Sequence, residues 1–496
     1  MIFFVRLRYI RLAATAMTLL ILPAVVYAQD EPSLPAGLSN GQNQDEEPTL
    51  PSGLGIEPSD TNDFEVGPLL PSGLEIAPSQ TETEAQTKLT KEPWMDITGF
   101  WEVRSGYRLR NDKYEKDASI GETRLQLEMQ KIWEGFTFEV TTDLYYDWVS
   151  ENHSVDLERG EGFLDLREAS VAYSPFDFMD LKLGRQILTW GTGDLLFIND
   201  LFPKDWQSFF IGRDTEYLKA PSDALKASFF TDLANVDVVY TPRFDSDRFI
   251  TGDRLSYWNG TLGRIAGADS IVRSDKPDDW FDDDEWALRL SKNVAGCELA
   301  AYGYWGYWKS PAGMDTSTFK YTFPELNVYG ASARSQVGKG IGNIEIGYYD
   351  SRDDRAGDDP YIDNSQIRYL IGYEQDLPEI APDFTVGLQY YVEQMLHYGD
   401  YRRTLPASSK AAEEYRHLLT FRITKLYWNQ NLTCSIFTYF SPSDKDVYMR
   451  PNINYKVTDN LAVEAGANIF WGDYPHTFFG QFQDNTNIYT AIRYSF

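Results

Sequence analysis

From Trp94 to Phe496 the chain runs in short stretches where every second residue is apolar and its neighbours are polar or charged. The last eleven residues, TNIYTAIRYSF, are the plainest case. Ile488, Thr490, Ile492, Tyr494 and Phe496 fall on one side of a strand, and Asn487, Tyr489, Ala491, Arg493 and Ser495 on the other, because strand side chains alternate with period two. Trp101, Val103, Tyr107 and Leu109 likewise oppose Glu102, Arg104, Gly106 and Arg108. Charges on every second residue are costly against lipid and cheap against a water-filled lumen. This spacing predicts eighteen strands, near 97–110, 119–132, 135–148, 163–174, 178–187, 222–230, 234–241, 284–293, 296–307, 325–337, 341–350, 364–375, 383–395, 413–425, 430–440, 446–457, 460–471 and 485–496.

The links between these runs alternate in length. Even-numbered links such as Trp133-Glu134, Val294-Ala295 and Thr458-Asp459 are tight. Most odd-numbered links are long, among them 149–162, 188–221, 242–283, 308–324, 351–363, 396–412 and 472–484. Short turns on one side and long loops on the other are the habit of membrane barrels, and a soluble sandwich has no reason to keep that parity. A strand with one apolar and one polar face, ending on an aromatic, resembles the closing strand of a bacterial outer-membrane β-barrel. The resemblance implies that Phe496 is read by the barrel-insertion machinery. The fold expected is all-β, a transmembrane antiparallel barrel of 16–18 strands in a Gram-negative outer membrane, with both termini periplasmic. Aromatics at strand ends, Tyr145, Tyr146 and Trp148 in one and Tyr302, Tyr304, Trp305, Tyr307 and Trp308 in another, read as girdles at the lipid headgroups.

Residues 1–28 read as a signal peptide: Arg6, Arg8 and Arg11, an apolar run from Leu12 to Val26, then Val26-Tyr27-Ala28. Residues 29–93 carry thirteen acids against two lysines among many Pro, Gly, Ser and Thr, a composition that cannot bury a core. They are expected to form a disordered periplasmic tether. In it Leu-Pro-x-Gly-Leu recurs at Leu34–Leu38, Leu50–Leu54 and Leu70–Leu74, a three-copy pattern suited to docking a periplasmic partner.

Composition excludes several classes. A formal charge of -30 opposes binding to a phosphate backbone, so no nucleic-acid partner is expected. Cys297 and Cys434 have neither zinc-site spacing nor a disulfide framework. The acidic run Asp278-Asp279 and Asp282–Glu285 matches no calcium loop and reads as a solvated face, so neither a metal nor a cofactor is expected. Of the histidines, His153, His397 and His476 fall in loops and His417 on the lipid side of a strand. No nucleophile elbow or metal-binding His pair appears, and the chain is not read as an enzyme.

The functional reading centres on Lys182–Pro221, where Leu195–Phe210 is too apolar for a fully solvated loop. Gly184-Arg185-Gln186, Trp190-Gly191, Asp194, Asp200, Pro203 and Asp205 together resemble a pattern of porin-like outer-membrane families, including alginate-export-like barrels. The loop is third on its side, the position at which general porins fold a loop inward. That resemblance makes Arg185, Asp194, Asp200, Lys204, Asp205 and Arg213 the pore-constriction candidates. Arg104, Arg108, Arg124, Arg167, Lys182, Arg289, Arg368, Arg416, Arg422, Arg450 and Arg493 are expected to point into the lumen, opposed by Glu102, Glu122, Glu128, Glu139, Asp143, Glu374, Glu414 and Glu464. The favoured function is a porin-like channel for passive passage of polar or charged solutes, embedded in lipid and lipopolysaccharide and, by analogy with porins, a homotrimer. One alternative is an export channel for a polyanionic polysaccharide or an amphiphile, working with a partner of the tether. Another is a non-conducting structural or adhesin barrel.

Overall fold

The structure, a computed structural model, describes residues 94–407 and 409–496. The expected signal peptide and the tether with its Leu-Pro-x-Gly-Leu repeats lie outside the described residues.

Eighteen antiparallel strands form one closed barrel, the upper end of the expected range. They are β1 Asp96–Arg108, β2 Ala118–Trp133, β3 Phe136–Asp147, β4 Leu164–Phe176, β5 Met179–Ile187 and β6 Pro221–Phe230. Next come β7 Asn235–Thr241, β8 Glu285–Val294, β9 Cys297–Tyr307, β10 Glu325–Val337, β11 Gly340–Ser351 and β12 Gln366–Asp376. The last six are β13 Phe384–Met395, β14 Tyr415–Tyr427, β15 Leu432–Ser441, β16 Asp446–Lys456, β17 Leu461–Gly472 and β18 Asn487–Ser495. Each strand pairs with its neighbours in sequence, and β1 closes on β18 in the register Trp101↔Tyr494 and Val103↔Ile492. Closure leaves no sheet edge, as a strand structure in lipid must, because no water is present there to satisfy free backbone groups. No helix among the described residues is long and apolar enough to cross a membrane.

Period two then sorts the side chains. Trp101, Leu183, Ile344, Ile371 and Ile492 stand outward and are all more than half exposed. Glu102, Arg104, Arg124 and Asp143 stand inward and are buried. Outward aromatics gather at both rims: Trp133, Phe178, Trp428 and Tyr494 on one, Tyr146, Trp148, Trp286 and Trp305 on the other. An apolar band between two aromatic girdles is the outer surface of a membrane barrel. His417 also stands outward, stacked on Tyr390 with its Nδ1 2.8 Å from the phenol oxygen.

The same periodicity corrects part of the girdle reading. Tyr145, Tyr302, Tyr304 and Trp308 face inward and are buried, while Tyr146, Trp148 and Trp305 face out. Adjacent residues of a strand cannot share a face, so a cluster of consecutive aromatics is divided between lipid and lumen.

The links keep their parity. On the short-turn rim, Glu134-Gly135 and Ala295-Gly296 are two-residue hairpins with φ of 48° and 85°, and 51° and 80°. Positive φ at both central residues is the twist-matching turn of a tight hairpin, and glycine supplies the second position without strain. On the opposite rim the long loops carry small hairpins of their own, Tyr257–Asn259 with Arg264–Ala266 and Gly313–Asp315 with Lys320–Thr322.

Candidate functional site: an inward segment and a lumen of two halves

Between β5 and β6 the chain does not stay at the rim. Residues 188–220 hydrogen-bond to, or pack on, residues of β1 to β4 and of β9 to β18. Gly193 N–H and Thr192 Oγ1 donate to Glu345 Oε1 at 2.9 and 2.8 Å, and Asn199 Nδ2 reaches Glu345 Oε2 at 3.1 Å. Asp194 pairs with Arg422, whose Nη2 lies 2.7 Å from Oδ1, and exchanges two backbone hydrogen bonds with Gln389 at 2.7 and 2.8 Å. The Tyr439 hydroxyl donates to the Leu195 carbonyl at 2.9 Å.

The middle of the segment is one short helix, α1 Trp206–Ile211. Asp205 caps it by accepting from Ser208 N–H at 2.7 Å, and Gly212 ends it at φ 99°. Gly212 has a second role, since a Cβ there would lie 2.6 Å from the Tyr489 ring. Phe209 and Phe210 meet Tyr448 edge-on at 5.8 and 5.3 Å, and Phe210 meets Phe470 at 5.3 Å. Edge-to-face pairs at this separation are each worth about 0.5–1.5 kcal/mol beyond the area buried. The opposite wall gives the segment a seat: Gly330 and Gly347 face each other across β10 and β11, and a Cβ on Gly330 would stand 1.8 Å from Asn199 Oδ1.

The C-terminal half is held by charge. Arg213 Nη2 lies 2.6 Å from Glu122 Oε2, and Glu122 also accepts from Arg124 Nε at 2.7 Å. Arg124 is sandwiched between the Tyr145 and Tyr217 rings, 4.4 Å from each centroid. Arg167 covers Tyr217 from elsewhere, also at 4.4 Å, and donates to the carbonyls of Glu216 and Lys219. Arg450 lies over Phe209 at 3.9 Å. Arg104 Nη1 donates to the Gly212 carbonyl at 2.8 Å while its other nitrogens hold Glu102 and Glu464.

Two long loops lock onto the segment from the far rim. Arg248 joins Asp165 at 2.9 Å to Asp205 at 3.3 Å, and Asp247 accepts from Lys204 N–H, Trp206 Nε1 and Ser310 Oγ. Lys309 Nζ bonds Glu285 at 2.6 Å and the Asp245 carbonyl at 2.9 Å. Burial, and then the Glu285 carboxylate, push the Asp245 carboxyl up to about 6.

The six sequence-derived constriction candidates are therefore all partnered. Asp194 holds Arg422, Asp200 holds Lys204 at 2.9 Å, Asp205 caps α1 and Arg213 holds Glu122. Arg185 lies apart from the other five, bound to Asp223 on β6 at 2.9 Å and to the Leu157 carbonyl. Of the predicted lumen bases, Arg104, Arg167, Arg422, Arg450 and Arg493 reach residues of the segment directly. Arg108 donates instead to the carbonyls of Ala118 and Arg254.

The segment divides two different halves of the lumen. Toward the short turns the inward face is ionic: Lys182 with Glu139 at 2.8 Å, Arg289 with Glu298 at 2.9 Å, Arg493 with Glu102 at 2.9 Å. Toward the long loops lies a cavity of about 580 Å³. The segment contributes Leu195, Phe197 and Trp206, the strands Tyr349, Tyr391 and Tyr439, and the loops Phe249, Trp258 and Phe479. Strand alternation gives no sign of this chamber. Its one advance sign was the apolar character of Leu195–Phe210.

Residues 110–356 match a family model described as a protein of unknown function, DUF1302. No curated protein matches the chain. Among solved structures it is similar to OccAB3 of Acinetobacter baumannii, at 12% identity over 81% of this chain and 99% of that one, with a TM-score of 0.47. OccAB4 of the same organism aligns at 10% identity over 82% of this chain and 100% of that one, TM-score 0.49. OmpF of Salmonella typhi, in complex with daunomycin, aligns at 9% identity over 81% and 97%, TM-score 0.40.

Proposed function

We propose that this chain is an outer-membrane channel of the porin kind, through which small polar or charged solutes diffuse past residues 188–220. The observation that carries the reading is the segment itself, tied across the lumen to residues of most of the strands. A purely structural barrel has no need of a partition between two chemically distinct halves. The ionic half suits solvated charges, and its opposed arginines and carboxylates would set ion preference. In this reading the short turns and both termini face the periplasm, residues 29–93 serve as a tether there, and Asp194 with Arg422 flanks the narrowest passage.

Single-channel conductance of the refolded chain in a planar bilayer tests this, with the reversal potential measured in a salt gradient. Stable open steps are expected, and larger ones from Asp194→Ala, which releases the segment from Arg422 and so widens the path. A folded, heat-modifiable barrel that stays silent in both forms would sink the proposal. An export reading gains support from the aromatic chamber only for amphiphiles, since a polyanionic polysaccharide has no apolar body to place there.

A further inference from the structure

We propose that the chamber above the segment binds a small amphiphile, an aliphatic or aryl body carrying one carboxylate-like head. Its volume, about 580 Å³, lies within the roughly 300–1,000 Å³ of small-molecule pockets. Most of the side chains lining it are aromatic or aliphatic. A hydrated ion gains nothing from such walls, and narrow apolar passages tend to exclude water. An apolar body gains about 25 cal/mol for each Å² it removes from water.

Arg368, Arg416, Gln366, Glu393 and Asp363 all line the chamber, and Arg368 meets both Gln366 and Glu393. Arg368 lies over the Tyr349 ring at 4.0 Å and touches Glu393 at 3.5 Å. Arg416 is held through Nε by Asp444 at 2.7 Å and lies beside the Phe478 ring. Its Nη2 is buried with no hydrogen-bond partner among the described residues. An unmet buried donor of this kind is costly, and an acceptor arriving with the ligand would satisfy it. Asp363 opens onto the same group of side chains. Lys204 and Lys309 also line the chamber but are already held by Asp200 and Glu285, so they offer no comparable opening.

As a solute class this amphiphile rests on the channel reading above, but its binding can be measured without conduction. Trp206, Trp258 and Trp308 line the chamber and report on it. The full chain in lipid nanodiscs is titrated with bromine-tagged dodecanoate, whose bromine quenches nearby tryptophan, and untagged dodecanoate and dodecanol serve as competitors. Saturable quenching, displaced by dodecanoate, is expected. Val272→Trp, which fills the chamber from a loop, should weaken binding of both competitors at least tenfold. Arg416→Gln should weaken dodecanoate about tenfold and leave dodecanol within twofold. Heat-modifiability checks that each variant is folded. Non-saturable quenching, equal in wild type and Val272→Trp, would mean partition into lipid and overturn the proposal. Equal loss of acid and alcohol in Arg416→Gln would overturn the assignment of the head. Binding by a barrel that does not conduct would leave the site standing and remove the channel reading.

Discussion

The two halves of this lumen are built from the same strands by the same alternation, yet they are opposite in kind. On the short-turn side, inward positions carry Glu139, Lys182, Glu298 and Arg493, each partly open to water and held in an ion pair with a side chain one or two strands away. On the long-loop side, inward positions carry Tyr349, Tyr391, Tyr439, Tyr448 and Phe470, covered by a segment and loops that fold back over them. An inward face is thus not polar by default. It is polar where water fills the bore and aromatic where the chain itself does. The energetic roles differ too. Half-exposed ion pairs contribute about 0–1 kcal/mol each and serve mainly to shape the field. Buried rings stacked around Phe210 are what fix the segment in place.

The comparison breaks if the halves respond alike to truncation. The largest effect is expected at Phe210, 2% exposed and in contact with Tyr448, Phe470 and Phe482. Phe210→Ala should destabilise by ~3–5 kcal/mol, the range for truncating a buried phenylalanine. It should show as a lower temperature for loss of the heat-modifiable form and as noisier channel openings. Lys182→Ala, in the ionic half, should alter stability by no more than ~1 kcal/mol. It frees the Glu139 carboxylate, so the reversal potential should move toward cation preference. An unchanged reversal potential, or a stability loss as large as that of Phe210→Ala, would erase the distinction.

The smallest effect concerns pH. Asp245 is faced by Glu285 from β8, by Lys309 from the loop after β9, and by both the backbone N–H and the carboxylate of Asp223. Its carboxyl titrates near 6 when folded, above its unfolded value, so the folded form binds the proton more tightly. Its contribution to stability is full below the unfolded value near 4 and is lost as pH rises through 6. Proteolysis of the 242–284 loop should therefore be slower at pH 4.5 than at pH 7, and Asp245→Asn should flatten that difference. A profile unaltered by the substitution would assign the pH effect to another group.

Much of the barrel was legible because its rule is local. All eighteen strands fall within two residues of the spans read from the sequence, and period two sets buried Arg104 and Arg124 opposite exposed Trp101 and half-buried Leu125. The site was legible only in part. Leu195–Phe210 marked itself as too apolar for water, yet nothing in its neighbourhood names Glu345, Arg422 or Tyr448 as its partners. The constriction charges were identified as charges, but their saturation by Glu122, Arg248 and Asp247 was not. Tyr145 and Tyr302 sit beside girdle aromatics at strand ends, and only the alternation of the strand separates them from Tyr146 and Trp305.

The sequence by itself determined a closed β-barrel, its strand limits, the parity of its links and the two faces of each strand. Those follow from period-two geometry and from the need to satisfy every backbone group in lipid, and both act within a dozen residues. The tertiary structure alone decided that residues 188–220 join most of the strands and that four loops far apart in sequence roof one aromatic chamber. Such contacts depend on which residues the closed barrel brings face to face across its bore, a relation set by the whole ring of strands and carried by no local pattern.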